Sequence, residues 1–326
     1  MISTDTLYIQ QWDNQQRVAF ADAVTSLNVS YEINSCAQLT VEVADYKMEM
    51  VKNNYFQLKT QVVFKGELFR LASVELSQGE GEYTNVKLEL RTDAVQRMKE
   101  DKTPQSYKSA TGYEFAEKVA KKFGLRFIGE QAKGVKQATI KVKAKNNKES
   151  VWDVLQRASQ DIQFLCFVSG DILFFASPKY LLGTWGIYTV EGATLDNAGK
   201  LKTLQYVPLL YPSDASHAYF LMEMPNVRRS EDSAKESEGK ASLWGGPNHE
   251  TADGNAYDLR PGMTVVTYGI PGFEQAYLIT SVTYQYSQPE PVEISFATVD
   301  KLAPADKAKV DAKVSEVTVI SGTGGG

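Results

Sequence analysis

The sequence predicts an α+β protein that is mainly β, with two β-domains on either side of a small α/β insert. Three observations predict it: alternating strand patterns in the first hundred residues, helical spacing after Pro104, and a return of strands after Pro178. With 326 residues, the chain is long enough for two or three domains. We predict domains at 1–102, 103–178 and 179–302, followed by a flexible tail at 303–326.

Alternation of apolar and polar side chains predicts the strands of the first β-domain. Residues 39–43 and 86–91 each show this period of two, and residues 69–76 between them are predicted as a further strand. The polar stretch 77–82, which contains two glycines, lies between the last two strands and has the composition of a hairpin turn. These two strands are therefore expected to pair with each other.

Two capping boxes predict the helices of the insert. Thr111 and Glu114 open one helix, which Gly124 ends, and Ser150 and Asp153 open the next. Each helix is followed by an apolar strand pattern, and a short Ser-Gly-Asp turn leads the second strand directly into a third. The predicted strands cover 125–128, 164–168 and 172–175.

The second β-domain is predicted from three strand patterns, at 263–268, 277–282 and 292–296. Before them, the stretch 228–256 is rich in Ser, Glu, Lys and Gly, which predicts a long exposed polar arm. Near the end, residues 305–314 hold enough Ala and Lys for a short helix.

An internal repeat links the two β-domains. Residues 69–74 (FRLASV) align with 277–282 (YLITSV), and residues 86–93 align with 292–298, with Asp300 one place late. Each copy has a polar loop between its two strands, and one copy lies on each side of the insert. Chance similarity is the alternative, since alternating strands resemble one another. A true repeat indicates a structural protein and not a catalytic scaffold.

Composition argues against several classes of protein. A net charge of −5 argues against a surface that binds duplex DNA through its phosphates. Cys36 and Cys166 are too few and too far apart for a disulfide framework or a zinc site, and two thiols are favoured over one bridge. We expect no signal peptide and no membrane span, because no segment has the necessary apolar run.

No motif for catalysis, a cofactor or a metal is found in the sequence, and we predict no catalytic, cofactor-binding or metal-binding residue. His217 lies in a Ser-Asp-Ala-Ser-His run, but a catalytic triad is assembled from separated segments. His249 beside a glutamate is a weak metal site. Trp12, Trp152 and Trp185 could stack on sugars, although scattered tryptophans usually pack in cores, as expected for Trp152.

The insert and the last block resemble a known family. Residues 109–120, 149–158 and 164–175 give a helix, a Ser-x-Trp-Asp-x-Leu helix, and paired strands ending in Gly-Asp-x-Leu-x-Phe. Together with Leu259-Arg-Pro-Gly and the 277–282 strand, this pattern resembles the baseplate-hub, or late-control-D-like, tail proteins of tailed phages and related contractile injection systems. The resemblance covers most of residues 1–302, and the polar arm departs from it.

The resemblance implies a fold, a location and partners. Each β-domain would be a tube-like β-barrel, and three chains would form a homotrimeric ring with pseudo-six-fold symmetry. Such a hub in the virion tail, made in the host cytoplasm, would adapt the hexameric tail tube to a three-fold tip. Its neighbours would be the tail tube or distal tail protein, a central spike or tip protein, and the tape-measure protein, with DNA passing through the lumen. The excess of acidic over basic residues suits such a lumen, because an acidic wall would not retain the phosphates of the passing DNA.

Two other functions remain open from the sequence. Carboxylates are plentiful, so the chain could be a tail-associated murein hydrolase with a catalytic acid pair. A carbohydrate-binding receptor module is the third hypothesis. An assay on peptidoglycan discriminates the hydrolase, and glycan binding by an isolated monomer would favour the receptor module.

Overall fold

The computed structural model describes residues 7–10, 17–19, 21–103, 111–131, 149–184, 207–210, 221–229, 236–245, 256–285 and 291–303. These residues form sixteen strands in two sheets, together with six α-helices. The predicted class, α+β and mainly β, is confirmed. None of the helices in the described ranges is long and apolar enough to cross a membrane.

The elements follow the predicted order of strands, then helices with strands, then strands again. The first part contains β1 (Leu7–Gln10), β2 (Arg17–Ala19), β3 (Val24–Glu32), β4 (Gln38–Tyr46), α1 (Glu49–Lys52), β5 (Gln61–Phe64), β6 (Glu67–Gln78) and β7 (Tyr83–Thr92). The middle contains α2 (Asp93–Glu100), α3 (Gly112–Phe123), β8 (Arg126–Gly129), α4 (Val151–Asp161), β9 (Leu165–Ser169), β10 (Ile172–Ala176) and α5 (Pro178–Thr184). The last part contains β11 (Val207–Leu210), β12 (Asn226–Arg229), β13 (Ser237–Leu243), β14 (Thr264–Tyr268), β15 (Ala276–Gln285), β16 (Val292–Ala297) and α6 (Val299–Leu302).

Period-two alternation places one face of β3, β4 and β7 in the core. In β4, Leu39 and Val41 are fully buried, and they lie directly opposite Leu90 and Leu88 of β7, which are also buried. A shift of one residue would turn each of these side chains to the other face, so burial fixes the register. The strands predicted at 39–43, 69–76 and 86–91 are thus confirmed as parts of β4, β6 and β7.

One large sheet runs through both β parts of the chain. Its strand order is β12-β13-β16-β15-β3-β4-β7-β6-β5-β1-β2, and β14 pairs with both β15 and β11. The two halves join where β15 pairs antiparallel with β3. Among the described strands, no pairing closes either half into a barrel; instead, the two halves share this single sheet.

The helices of the insert begin at the two predicted capping boxes. The Thr111 hydroxyl accepts a hydrogen bond from the Glu114 amide (3.2 Å), and the Ser150 hydroxyl accepts one from the Asp153 amide (3.1 Å). In both boxes the acidic side chain in turn accepts from the backbone amide of the cap. Gly124 ends α3 at φ +74°, a left-handed conformation that glycine adopts without a steric penalty.

The insert's sheet has the strand order β8-β10-β9, and its strands β9 and β10 are buried on both faces. Cys166, Val168, Leu173 and Phe175 face a core formed with α2, α3 and α4. The alternate side chains face the core of the large sheet instead, and they are Leu165, Phe167, Ile172 and Phe174. The insert is therefore attached to the β part of the molecule through a continuous apolar layer.

The prediction of an exposed arm at 228–256 is wrong for Ser237–Leu243. This segment forms β13, which lies inside the large sheet between β12 and β16. Three of its four inward residues are small, Ser237, Gly239 and Ala241, and only Leu243 is large, so a count of large apolar residues does not reveal the strand period. A side chain at Gly239 would come within 2.7 Å of the Phe296 ring, so a small residue is required there.

Candidate functional site: a duplicated sheet and its buried junction

The predicted hairpin repeat is confirmed by strand pairing. β6 pairs antiparallel with β7, and β15 pairs antiparallel with β16. Val74 lies opposite Leu88, and at the corresponding position Val282 lies opposite Ile294. Each pairing is interrupted by one register shift, between Leu71 and Ser73 in the first copy and between Ile279 and Ser281 in the second. The two hairpins thus share their pairing and the position of their bulge.

The corresponding side chains also face the same way. Leu88 and Ile294 are both buried, at 0% and 1% exposure. Ser73 and Ser281 lie on the opposite face of their hairpins, where Ser73 is exposed and Ser281 half-buried. In addition, Thr92 and Thr298 each end a hairpin and precede a helix, α2 and α6 respectively.

The duplication extends beyond the hairpins to five strands. The order β3-β4-β7-β6-β5 in the first half corresponds to β12-β13-β16-β15-β14 in the second. Val62 of β5 lies opposite Phe69, as Val265 of β14 lies opposite Tyr277. Val29 of β3 lies opposite Leu39, as Val227 of β12 lies opposite Gly239.

Backbone details outside the strands repeat as well. The Leu71 amide donates to the Thr60 carbonyl (2.9 Å), and the Ile279 amide donates to the Met263 carbonyl (2.8 Å). The residue before each acceptor has a left-handed conformation, with φ +72° at Lys59 and +84° at Gly262. Agreement in registers, bulges and backbone conformation is not expected from chance similarity of alternating strands, so the chain contains the same sheet twice.

The two copies meet where β3 pairs with β15. Tyr31 lies opposite Val282, and Ser30 lies opposite Thr283, whose hydroxyl donates to that of Ser30 at 3.4 Å. The Ile33 amide donates to the Thr280 carbonyl at 2.9 Å. Because hydrogen-bonded and non-hydrogen-bonded pairs alternate along antiparallel strands, Ser30 and Thr283 form a non-hydrogen-bonded pair with close side chains.

A buried ion pair lies at this junction. Arg260, which is 1% exposed, donates from Nη2 to Oε1 of Glu67 at 3.3 Å, and the Tyr31 hydroxyl donates to the same oxygen at 3.0 Å. The Arg260 guanidinium also donates to the carbonyls of Tyr257 and Leu259, and its Cζ lies 4.5 Å from the centroid of the Tyr31 ring. Glu67 and Tyr31 belong to the first copy and Arg260 to the second, so the cluster joins the copies electrostatically.

Burial shifts the pKa of two groups in this cluster. It raises the pKa of Tyr31 well above its usual value, although Arg260 opposes the shift. For Lys65, burial and the nearby positive charge of Arg260 lower the pKa to about 8, against the attraction of Asp258 and Glu67. The Lys65 amine lies 5.2 Å from the centroid of the Tyr257 ring.

Lys65 gives a testable pH dependence. The pKa of Lys65 is lower in the folded than in the unfolded chain, so between pH 8 and 10.5 the unfolded chain binds more protons than the folded one. The contribution of Lys65 to the stability of the folded protein therefore increases with pH over that range. We expect the free energy of unfolding of the native protein to rise relative to Lys65→Met by about 1–2 kcal/mol over this range, less than the full pKa difference gives because the amine is partly exposed. Urea denaturation of both proteins at pH 7 and pH 10.5 measures it. A constant difference would mean that Lys65 keeps an ordinary pKa.

Those of the other candidate residues that the structure describes do not come together as a reaction centre. In the described part of the chain, no three or more His, Cys, Asp or Glu side chains are grouped to hold a metal ion. Cys36 and Cys166 are free thiols, and burial raises the pKa of both. Trp152 packs in the core of the insert and is 5% exposed, as predicted. Trp12, Trp185, His217, His249 and the predicted helix at 305–314 lie outside the described residues.

Comparison with known proteins identifies the fold. No family model and no curated protein matches the sequence. A tail protein from Neisseria meningitidis MC58 superposes with a TM-score of 0.56 at 11% identity, over 90% of this chain and 95% of its own. The chain has the fold of phage tail proteins. A 43 kDa tail protein of prophage MuSo2 from Shewanella oneidensis gives a TM-score of 0.54 at 12% identity, over 91% and 98% of the two chains.

A third similar structure comes from a secretion system. It is an E. coli component of the type VI secretion system, described as similar to the T4 phage tail proteins gp27 and gp5. It superposes with a TM-score of 0.54 at 11% identity, over 89% of this chain and 75% of its own. At these identities the likeness concerns the fold, and membership of the late-control-D-like group stays a prediction.

Proposed function

We propose that the chain is a structural hub protein of a phage-type tail tip or baseplate and that it acts as a homotrimer. The duplicated sheet is the observation that carries this proposal. Each chain supplies two equivalent sheets, so three chains supply six, which matches a hexameric tube on one side and a three-fold tip on the other. The tail-protein fold supports the same function.

In this role the chain would join neighbours and enclose a passage. The tail tube or distal tail protein would stack on the pseudo-six-fold face, and a central spike or tip protein would bind the three-fold face. The tape-measure protein and then DNA would pass through the lumen. The net charge of −5 is compatible with passage, because an acidic wall would not retain phosphate.

The mass of the particle in solution tests the proposal. We expect light scattering after gel filtration to give three times 36.2 kDa, and negative-stain images to show rings with a central opening. The same sample should release no soluble fragments from purified peptidoglycan. A stable monomer that binds glycans would support the receptor hypothesis instead, and peptidoglycan cleavage would support the hydrolase hypothesis.

A further inference from the structure

The two sheet copies differ in what covers one strand edge. In β15, residues Ala276–Leu278 pair with β14, and Ser281–Gln285 pair with β3 on the same edge. In the corresponding strand β6, residues Glu67–Arg70 pair with β5. Among the described residues, no strand covers the rest of that edge, from Ser73 to Gln78. In the described part of the chain, the first copy therefore has an open edge at the place where the second copy is covered.

The strand that corresponds to β3 is β12, and it also has an open edge. Within the described residues, β12 is the end strand of the large sheet and pairs with β13 alone. In the described strand order, β12 and β6 are seven positions apart and do not pair with each other. A β12 strand that covers β6 would therefore come from another copy of the chain.

We propose that β6 of one chain pairs antiparallel with β12 of a neighbouring copy, in the register that β15 and β3 use within the chain. The inference rests on the proposed trimer and assigns the strands that join its subunits. When the register of β15 and β3 is applied to the equivalent strands β6 and β12, Glu75 lies opposite Arg228 and Leu76 lies opposite Val227.

Charge complementarity supports this register. Within the chain, Glu42 of β4 lies opposite Lys87 of β7, and Lys87 lies opposite Glu75 of β6. On the other edge, Arg228 of β12 lies opposite Glu238 of β13. Joining the edges in the proposed register gives one row of alternating charges across five strands, and opposite charges in facing positions stabilise a sheet.

An exposed leucine on β6 also supports pairing at the open edge of this strand. Leu76 is 47% exposed, whereas Tyr284, its equivalent in the covered copy, is 1% exposed. An open strand edge with an exposed leucine is a template for pairing with another chain, and in a closed ring every such edge is used. Because β6 and β12 are different surfaces, the contact is head-to-tail, the kind that generates rings.

Engineered cysteines test the pairing. In the proposed register, residues 75 and 228 form a non-hydrogen-bonded pair like Thr283 and Ser30, with Cα atoms about 4.5 Å apart. This geometry permits a disulfide. We would introduce Glu75→Cys and Arg228→Cys separately and together, in a Cys36→Ser background that removes the half-buried native thiol. Both positions are exposed in the isolated chain, so the substitutions should leave the fold intact, as circular dichroism would verify.

After mild oxidation, neither single variant should form the bond, and an equimolar mixture of the two should give a disulfide-linked dimer. The double variant should shift more than half of its chains to linked dimers and trimers. The matched control pairs Glu75→Cys with Arg229→Cys, whose side chain points to the other face of the strand, and it should give at least tenfold less linked product. Equal linking in the control would overturn the register.

The proposed function and this inference fail in different ways. A trimer by light scattering that does not link through residues 75 and 228 would overturn the strand assignment and leave the proposed hub standing. A monomer by light scattering that also fails to link would overturn both.

Discussion

Replacing Arg260 by methionine is expected to lower the free energy of unfolding by about 3–5 kcal/mol. The substitution leaves the Glu67 carboxylate buried beside Tyr31 without its cation, and an uncompensated buried charge costs that much. Methionine also removes the donors that bind the Tyr257 and Leu259 carbonyls. Urea denaturation followed by circular dichroism measures the change at a fixed protein concentration.

Two further variants separate the buried charge from a general loss of packing. Adding Glu67→Gln to Arg260→Met should recover about 1–3 kcal/mol, because the paired residues are coupled. Arg126→Met removes a guanidinium from an exposed pair with Asp171 and should cost no more than about 1 kcal/mol. If Arg260→Met were as stable as the native protein, the buried pair would have no role in holding the two copies together.

Replacing Trp152 by alanine is also expected to cost about 3–5 kcal/mol, as truncation of a large buried aromatic side chain does. Trp152 lies on α4 in the core of the insert and is 5% exposed. Trp152→Phe, which keeps most of the apolar volume, should cost less than half as much. Thermal unfolding of the three proteins gives the comparison. A Trp152→Ala protein that kept its stability but lost glycan binding would show that the side chain is a sugar platform.

Much of the local structure could be predicted because its signals are short in sequence. Thr111 and Ser150 open helices through contacts within three residues, and the hairpins β6–β7 and β15–β16 join strands separated by short polar loops. The repeat was visible for the same reason, since each copy of the hairpin is a continuous segment. Such features depend on neighbouring residues and not on the rest of the fold.

The junction could not be predicted, because its partners are distant in the chain. Glu67 and Arg260 are 193 residues apart in the sequence. Taken singly, each has the sequence signal of an ordinary charged residue on the surface. The pairing of β3 with β15 likewise depends on which edges the fold brings together. β13 was missed for a different reason: Ser237, Gly239 and Ala241 face inward but are too small to mark an apolar period.

The junction between β3 and β15 lies within one polypeptide, and this has a consequence for how a ring would assemble. In the proposed trimer, three of the six contacts between sheets are intramolecular, so they form at the high effective concentration of a tether and do not depend on encounter between chains. Only the three contacts between β6 and β12 are then left to association. A covalent duplication also frees the two copies to diverge, since the hairpin of the first copy is followed by α2 and the insert, which lie between the two copies in the chain. A ring of six identical subunits would carry six inserts or none, whereas a ring of three duplicated chains carries three.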